Sequence, residues 1–171
     1  MRPTLQWGVT LIEIVIALLI ISILILVAMP NFGAWITNAQ IRNGAEAVLN
    51  GMQFARNQAI QFNTAVQFEL TGETTWTVTR VSDGEELQSR AEEGSANATT
   101  ETLPEDATIL TFNGMGWIVA NADGSDSITQ VDIEASVDVD GERPLRVSVT
   151  PGGALKMCDP AVAAPDPRVC P

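Results

Sequence analysis

The sequence predicts an α+β protein in which one long N-terminal helix packs against an antiparallel β-domain. Three observations lead to this fold class. Residues from Val9 to Met29 form an almost unbroken apolar run. Apolar residues then recur every three or four positions as far as Phe62, which is the period of a helix with one buried face. From Ala65 onward, short segments rich in β-branched residues alternate with Gly-containing turns, as in a sheet built from hairpins.

The apolar run is long enough to cross a membrane. Its 21 residues, as a helix, span roughly the 30 Å hydrocarbon core of a bilayer. We therefore expect a transmembrane helix over residues 9–29, preceded by a cytoplasmic leader, residues 1–8, that carries Arg2 and no acidic residue. Glu13 is the one charged residue inside the run, and a charge in lipid costs free energy unless it is paired. Its presence predicts a partner within the membrane.

Residues 30–62 are expected to continue as the amphipathic half of the same helix. The predicted buried stripe consists of Ile41, Ala45, Val48, Met52, Ala55, Ala59 and Phe62, with Leu49 and Ile60 at its edges. Because strand-like segments follow at once, a sheet is favoured over a coiled-coil partner as the surface that covers the stripe. Pro30 lacks a backbone N–H and clashes with the preceding turn, so it predicts a kink or a melted turn, with a simple helix end as the alternative.

Residues 63–171 are expected to form the β-domain. Six strands are predicted from β-branched content and alternation: Ala65–Leu70, Thr74–Val81, Thr108–Phe112, Gly116–Ala120, Ile128–Ala135 and Leu145–Thr150. Residues 82–107 are rich in Glu, Ser and Thr and poor in apolar residues. This composition predicts an exposed, mobile acidic loop without a chemical role.

Charge and composition exclude several classes of function. The chain has a net charge of −12, and from Asn63 onward 19 acidic residues stand against 6 basic ones, which argues against a broad nucleic-acid or anionic-lipid surface. There is no His, so histidine base chemistry and Cys/His metal sites are excluded. The carboxylates are scattered over turns. We therefore predict no catalytic residues, no metal site and no cofactor, and hence no enzyme.

The two cysteines, Cys158 and Cys170, lie close together near the C-terminus. In a cytosolic protein they could be free thiols. Beside a membrane-export segment, an oxidising compartment and a disulfide are favoured. A bridge over so short a loop would stabilise the fold by roughly 3 kcal/mol in the chain-entropy model.

The segment Gly8-Val9-Thr10-Leu11-Ile12-Glu13, the apolar run after it and Ala28-Met29-Pro30 resemble the class III signal of type IV pilins and type II secretion pseudopilins. The resemblance implies that a prepilin peptidase cuts the Gly8–Val9 bond and methylates the amine of Val9. It also implies that Glu13 acts in assembly and that Pro30 kinks the helix. The chain departs from the family pattern at Val9, where phenylalanine is usual, which bears on the efficiency of cleavage.

Physical chemistry agrees with the role that the resemblance implies for Glu13. Cleavage would leave a cationic amine on Val9 beside apolar surface. The Glu13 carboxylate of a neighbouring subunit would neutralise that amine, since each charge alone is expensive in lipid or in a filament core.

Two further stretches are similar to the GspH/FimT group of minor pilins and pseudopilins. They are Phe54–Ile60, at the end of the helix, and the tail from Pro151 to Cys170. This resemblance implies a pilin fold with two packed sheets in the β-domain and a disulfide in the tail. Because secretion pseudopilins commonly lack such a bridge, the cysteine pair favours a pilus protein.

Some FimT-like relatives bind DNA through a Gly-Arg-x-Arg motif before the first cysteine. The matching positions here are Ala154 and Lys156, so one cation is missing and the other lacks a guanidinium group. Arg143, Arg146, Lys156 and Arg168 form the candidate DNA contact, with acidic residues interspersed among them.

The sequence thus predicts a minor type IV pilin of the FimT/FimU type, a structural subunit that primes pilus assembly or lies near the tip. The alternatives are a DNA-binding minor pilin of natural transformation and a GspH-like minor pseudopilin of type II secretion. The expected partners are the prepilin peptidase, minor and major pilins, the inner-membrane assembly platform and, before assembly, membrane lipid. The expected location is the inner membrane, with the N-terminus in the cytoplasm and residues 63–171 in the periplasm, and then the filament.

Overall fold

The computed structural model describes residues 8–91, 95–137 and 140–170, and only the backbone of residues 27–31. A single helix, α1, runs from Leu11 to Phe62 over 52 residues and continues through Pro30. The melted turn and the helix end predicted at Pro30 are therefore both wrong. The kink stays a prediction, and the Pro30 side chain and the predicted leader up to Trp7 lie outside the described residues. The helix ends at Phe62, and the left-handed backbone conformation of Asn63 (φ 48°) turns the chain so that the N–H of Thr64 donates to the carbonyl of Ala59 (3.2 Å).

The second half of α1 packs on the β-domain through the predicted stripe. Six of its seven members, from Ile41 to Ala59, are completely buried. The seventh, Phe62, is 48% exposed, and the guanidinium of Arg80 lies 4.9 Å from its ring centroid. The prediction that a sheet covers this stripe is confirmed, except at Phe62 in the last turn of the helix, which stays half exposed.

Within the described residues, nine strands make two antiparallel sheets, which confirms the fold class. The first sheet has the order β3-β2-β1-β5-β6 and the second has the order β4-β7-β8-β9. Their bounds are β1 Val66–Leu70, β2 Trp76–Arg80, β3 Glu86–Arg90, β4 Ala98–Leu103, β5 Ile109–Phe112, β6 Ile118–Val119, β7 Gln130–Ala135, β8 Leu145–Val149 and β9 Leu155–Cys158. All six predicted strands are present, and each is shorter than predicted.

The prediction of an acidic loop over residues 82–107 is wrong, because β3 and β4 lie within it. Both are polar strands at sheet edges, where one hydrogen-bonded neighbour suffices and neither face has to be fully apolar. The carboxylate of Glu73, in the β1–β2 turn, accepts two hydrogen bonds from β4. One comes from the backbone N–H of Thr100 (2.8 Å) and the other from the hydroxyl of Thr99 (2.7 Å). This covers part of the free edge of β4. Composition alone could not reveal either strand.

The core lies between α1 and the two sheets, with Phe68, Phe112 and Leu110 among its largest fully buried side chains. Gly51 lets the helix approach the sheet closely. A Cβ at this position would lie 2.6 Å from the Trp76 ring and 2.8 Å from the Phe68 ring. The sheets pack against the second half of the helix only, because the large apolar side chains of its first half remain exposed.

Candidate functional site

The predicted cleavage bond lies just outside the helix. Gly8, Val9 and Thr10 have no regular secondary structure, and Val9 is 68% exposed. Nothing lies within 4 Å of the position that a Cβ of Gly8 would occupy. The first carbonyl to accept a helical hydrogen bond is that of Thr10, from the N–H of Ile14 (3.3 Å). The carbonyl of Gly8 is therefore not engaged in the helix.

Thr10 and Glu13 fix this boundary through a capping box. The hydroxyl of Thr10 accepts a hydrogen bond from the N–H of Glu13 (3.3 Å), and the carboxylate of Glu13 accepts one from the N–H of Thr10 (3.5 Å). Two backbone donors at the helix start are satisfied in this way. Thr10 itself is extended (φ −84°, ψ 152°). The sequence analysis assigned Glu13 a role in assembly but missed its role as a cap, although Thr-x-x-Glu is the known signature of this motif.

The first half of α1 exposes apolar side chains on every side. The large apolar residues from Leu11 to Leu26 are each between 49% and 84% exposed. In the part of the chain whose side chains are described, no helix is long and apolar enough to cross a membrane. The transmembrane span over residues 9–29 is not established by this geometry and stays a prediction.

The tail closes back on the second sheet through a disulfide between Cys158 and Cys170, whose Cα atoms are 5.1 Å apart. The N–H of Asp159 donates to the carbonyl of Arg168 (2.8 Å), next to a parallel bridge between Asp159 and Val169. The predicted disulfide is confirmed, and it fixes a tail segment beside β9.

The four cations of the candidate DNA contact do not line one common concavity. Arg146 forms an ion pair with Asp132 (2.6 Å), which raises the pKa of Arg146 above its usual value. The ammonium of Lys156 donates to the carbonyl of Val169 (3.3 Å). Only the other two, Arg143 and Arg168, line the same surface. The DNA contact stays a prediction that this arrangement does not favour.

Arg143 and Arg168 instead meet Arg42 around one concavity, which we call the arginine groove. It has a volume of about 540 Å³, and its apolar surface comes mainly from Trp35, Leu145 and Met157. Asn38, on α1, positions the loop that carries Arg143: its amide donates to the carbonyl of Gly141 (3.0 Å), and its carbonyl oxygen accepts from the N–H of Arg143 (2.8 Å). The sequence analysis missed Trp35, Asn38 and Arg42. A Trp shortly after an apolar run is typical of a membrane interface, and this signal could have identified Trp35.

Each arginine of the groove has a different ionic environment. Arg42 pairs with Glu46 on the outer face of α1 (2.8 Å). Arg168 pairs with Asp166 (2.7 Å), and its hydrogen bond lowers the pKa of Asp166 to about 2. No ion pair joins Arg143 to any described residue. Among residues 8–91, 95–137 and 140–170, no group of three or more acidic or cysteine side chains could hold a metal ion.

Comparison with known proteins identifies the fold and the family of the chain. In a search of solved structures, the chain is similar to the type IV minor pilin FimU of Pseudomonas aeruginosa strain PAO1. The match has 17% identity and a TM-score of 0.50, and it covers 68% of this chain and 87% of FimU. A second crystal form of FimU matches with 16% identity and a TM-score of 0.45, covering 68% and 90%. At this identity the likeness shows the fold alone.

No curated protein sequence matches the chain. A family model described as type II transport protein GspH matches residues 44–153, from the buried half of the helix to the turn before β9. Because this match covers more than half of the sequence, the chain belongs to the GspH family.

Proposed function

We propose that this chain is a minor type IV pilin, a structural subunit that is cleaved at Gly8–Val9, held in the inner membrane and then incorporated into a pilus. One observation carries the proposal. An exposed segment with the prepilin sequence lies at the free end of a helix whose first half is apolar on all sides and whose second half is buried in a β-domain. No described part of the chain covers the first half of this helix, and a bilayer or a bundle of pilin helices would provide that cover.

The disulfide tail supports a pilus rather than a secretion system, because secretion pseudopilins commonly lack such a bridge. The priming role and the position near the tip are those that the resemblance to FimT/FimU-type minor pilins implies. The GspH description of the family model supports a second candidate, a minor pseudopilin of type II secretion.

Processing is tested by an intact-mass measurement on the chain produced with and without a prepilin peptidase. We expect the peptidase to remove residues 1–8 and to add the mass of one methyl group to the new N-terminus at Val9. Gly8→Val is the matched control and should stay uncut, because the peptidase then has no glycine before the bond. An unchanged mass for the native chain would contradict the proposal.

Co-purification tests the choice between the two systems. The processed chain is expressed with the major pilin or with the major pseudopilin of the same cell. Cross-linking of the chain to the major pilin and its presence in sheared pili supports the pilus proposal. Cross-linking to the pseudopilin alone supports the second candidate.

A further inference from the structure

We infer that the arginine groove is a binding site for an anionic phospholipid, which occupies it while the subunit is anchored in the membrane, before assembly. This inference rests on the proposed membrane anchoring of residues 9–29. The groove has the size of a small-molecule site, and it combines apolar walls with a few polar groups, as ligand sites usually do. Its polar groups are dominated by three guanidinium groups, which suit the phosphate of a lipid headgroup.

The position of the groove along α1 favours a lipid. Asn38, which holds the Arg143 loop, lies nine residues beyond Met29, the end of the apolar run. Nine residues of helix rise about 13 Å. The headgroup layer extends roughly 5–7 Å beyond the hydrocarbon core, and a long arginine side chain that turns toward the bilayer covers much of the remaining distance.

An apolar and aromatic path connects the groove with the apolar run. Phe32, Trp35 and Ala39 follow each other at helical spacing and lead to Arg42, and Phe32 and Trp35 are 61% and 68% exposed. Trp is enriched where a membrane protein crosses the headgroup layer. Acyl-chain and glycerol groups would contact this path, while the phosphate would lie among the arginines.

The attraction has to be local, because acidic groups surround the groove. Asp159 lines it, Asp166 pairs with Arg168, and Asp140 and Glu142 lie in the same loop as Arg143. A general surface attraction to an anionic bilayer is therefore weak or absent. Binding should depend on Arg143, which has no carboxylate partner among the described residues.

The test uses the full chain. Flotation with vesicles of phosphatidylcholine alone first measures insertion, and failure to float would contradict the proposed anchoring itself. Native mass spectrometry of the detergent-solubilised chain then compares retention of phosphatidylglycerol, phosphatidylcholine and soluble glycerol phosphate. We expect selective retention of phosphatidylglycerol, reduced about tenfold by Arg143→Gln, because a charge-assisted hydrogen bond is lost.

Lys156→Gln is the matched control, since Lys156 carries the same charge on β9 but does not line the groove. It should leave retention unchanged. Equal retention of the two lipids, or equal losses with Arg143→Gln and Lys156→Gln, would overturn the inference in a chain that floats normally. Retention of a short oligonucleotide in place of the lipid would overturn it in favour of the DNA-binding alternative.

Discussion

The two halves of α1 share one backbone conformation but depend on different partners. From Ile41 to Ala59 the apolar face is completely buried by the chain's own sheets, whereas from Leu11 to Leu26 every large apolar side chain is exposed. The amphipathic half is stabilised by tertiary packing within the subunit. No described part of the chain covers the apolar half. If the proposed function holds, folding uses one half of the helix and assembly uses the other.

The largest effect is expected for assembly when Glu13 is changed. Both Glu13→Ala and Glu13→Gln remove the charge that would pair with the Val9 amine of a neighbour, but Gln keeps the capping box with Thr10. Loss of one partner of a buried ion pair costs about 3–5 kcal/mol. We expect incorporation into pili to fall by at least about tenfold in both variants, measured by immunoblot of sheared pili. Normal incorporation of Glu13→Gln would show that the cap, and not the charge, is what matters.

A direct comparison of the two halves uses one truncation in each. Met52→Ala leaves a cavity against the sheets and should lower the free energy of unfolding by about 2–5 kcal/mol. Leu18→Ala, in the exposed half, should leave the unfolding of the β-domain unchanged. Denaturant unfolding of the full chain in detergent, followed by near-ultraviolet circular dichroism, measures both. Equal destabilisation by the two variants would contradict the separation of folding from assembly.

A smaller effect is expected for processing when the helix cap is removed. In Thr10→Val the hydroxyl that accepts from Glu13 is lost, at about 1 kcal/mol, while the side chain keeps its shape. Without the cap, the first backbone N–H groups of the helix lack an acceptor, and unpaired N–H groups are costly in lipid. The helix should therefore extend by a turn toward Gly8, so that the Gly8 carbonyl accepts one of these hydrogen bonds. We expect initial cleavage about fivefold slower, measured by gel shift, and restored by Thr10→Ser. Equal rates for Thr10→Val and the native chain would show that the cap does not position the bond.

The smallest effect concerns the tail beside the buried half. Because the Arg168 hydrogen bond lowers the pKa of Asp166 to about 2 from 3.8, its stabilising contribution is present above about pH 4 and is lost as the pH falls toward 2. The pair is exposed, so the effect on the whole fold should be slight. A carboxyl carbon NMR titration should give a midpoint near 2 for Asp166, shifted toward its usual value in Arg168→Gln. A usual value in the native chain would mean that the ion pair does not persist.

Much of the fold could be predicted because it follows local periodicity. The stripe from Ile41 to Ala59 and the six alternating strands carry their pattern in the residues themselves. Strands β3 and β4 could not be predicted, since an edge strand is defined by its neighbour and here carries polar side chains such as Glu86 and Thr100. Strand β9 was not predicted either, because its residues were treated as part of the tail from Pro151 to Cys170.

The candidate sites divide in the same way. The segment from Gly8 to Glu13 is contiguous, so the sequence displays it whole, and only the hydrogen bonds of its capping box had to be found in the structure. The arginine groove brings Arg42, Arg143 and Arg168 together from the helix, a loop and the disulfide tail. No sequence spacing relates these three positions.

The sequence by itself determined the fold class, the apolar and amphipathic halves of the helix and the segment that resembles a prepilin signal, because each depends on residues that are neighbours along the chain. Only the tertiary structure decided which edges of the sheets are covered, which cations are paired and which face a common groove. Those properties depend on long-range contacts, and their energies are set by the distance and burial of groups far apart in sequence. The exposed half of the helix lies between the two cases, since its sequence shows that it needs a cover and no described part of the subunit provides one.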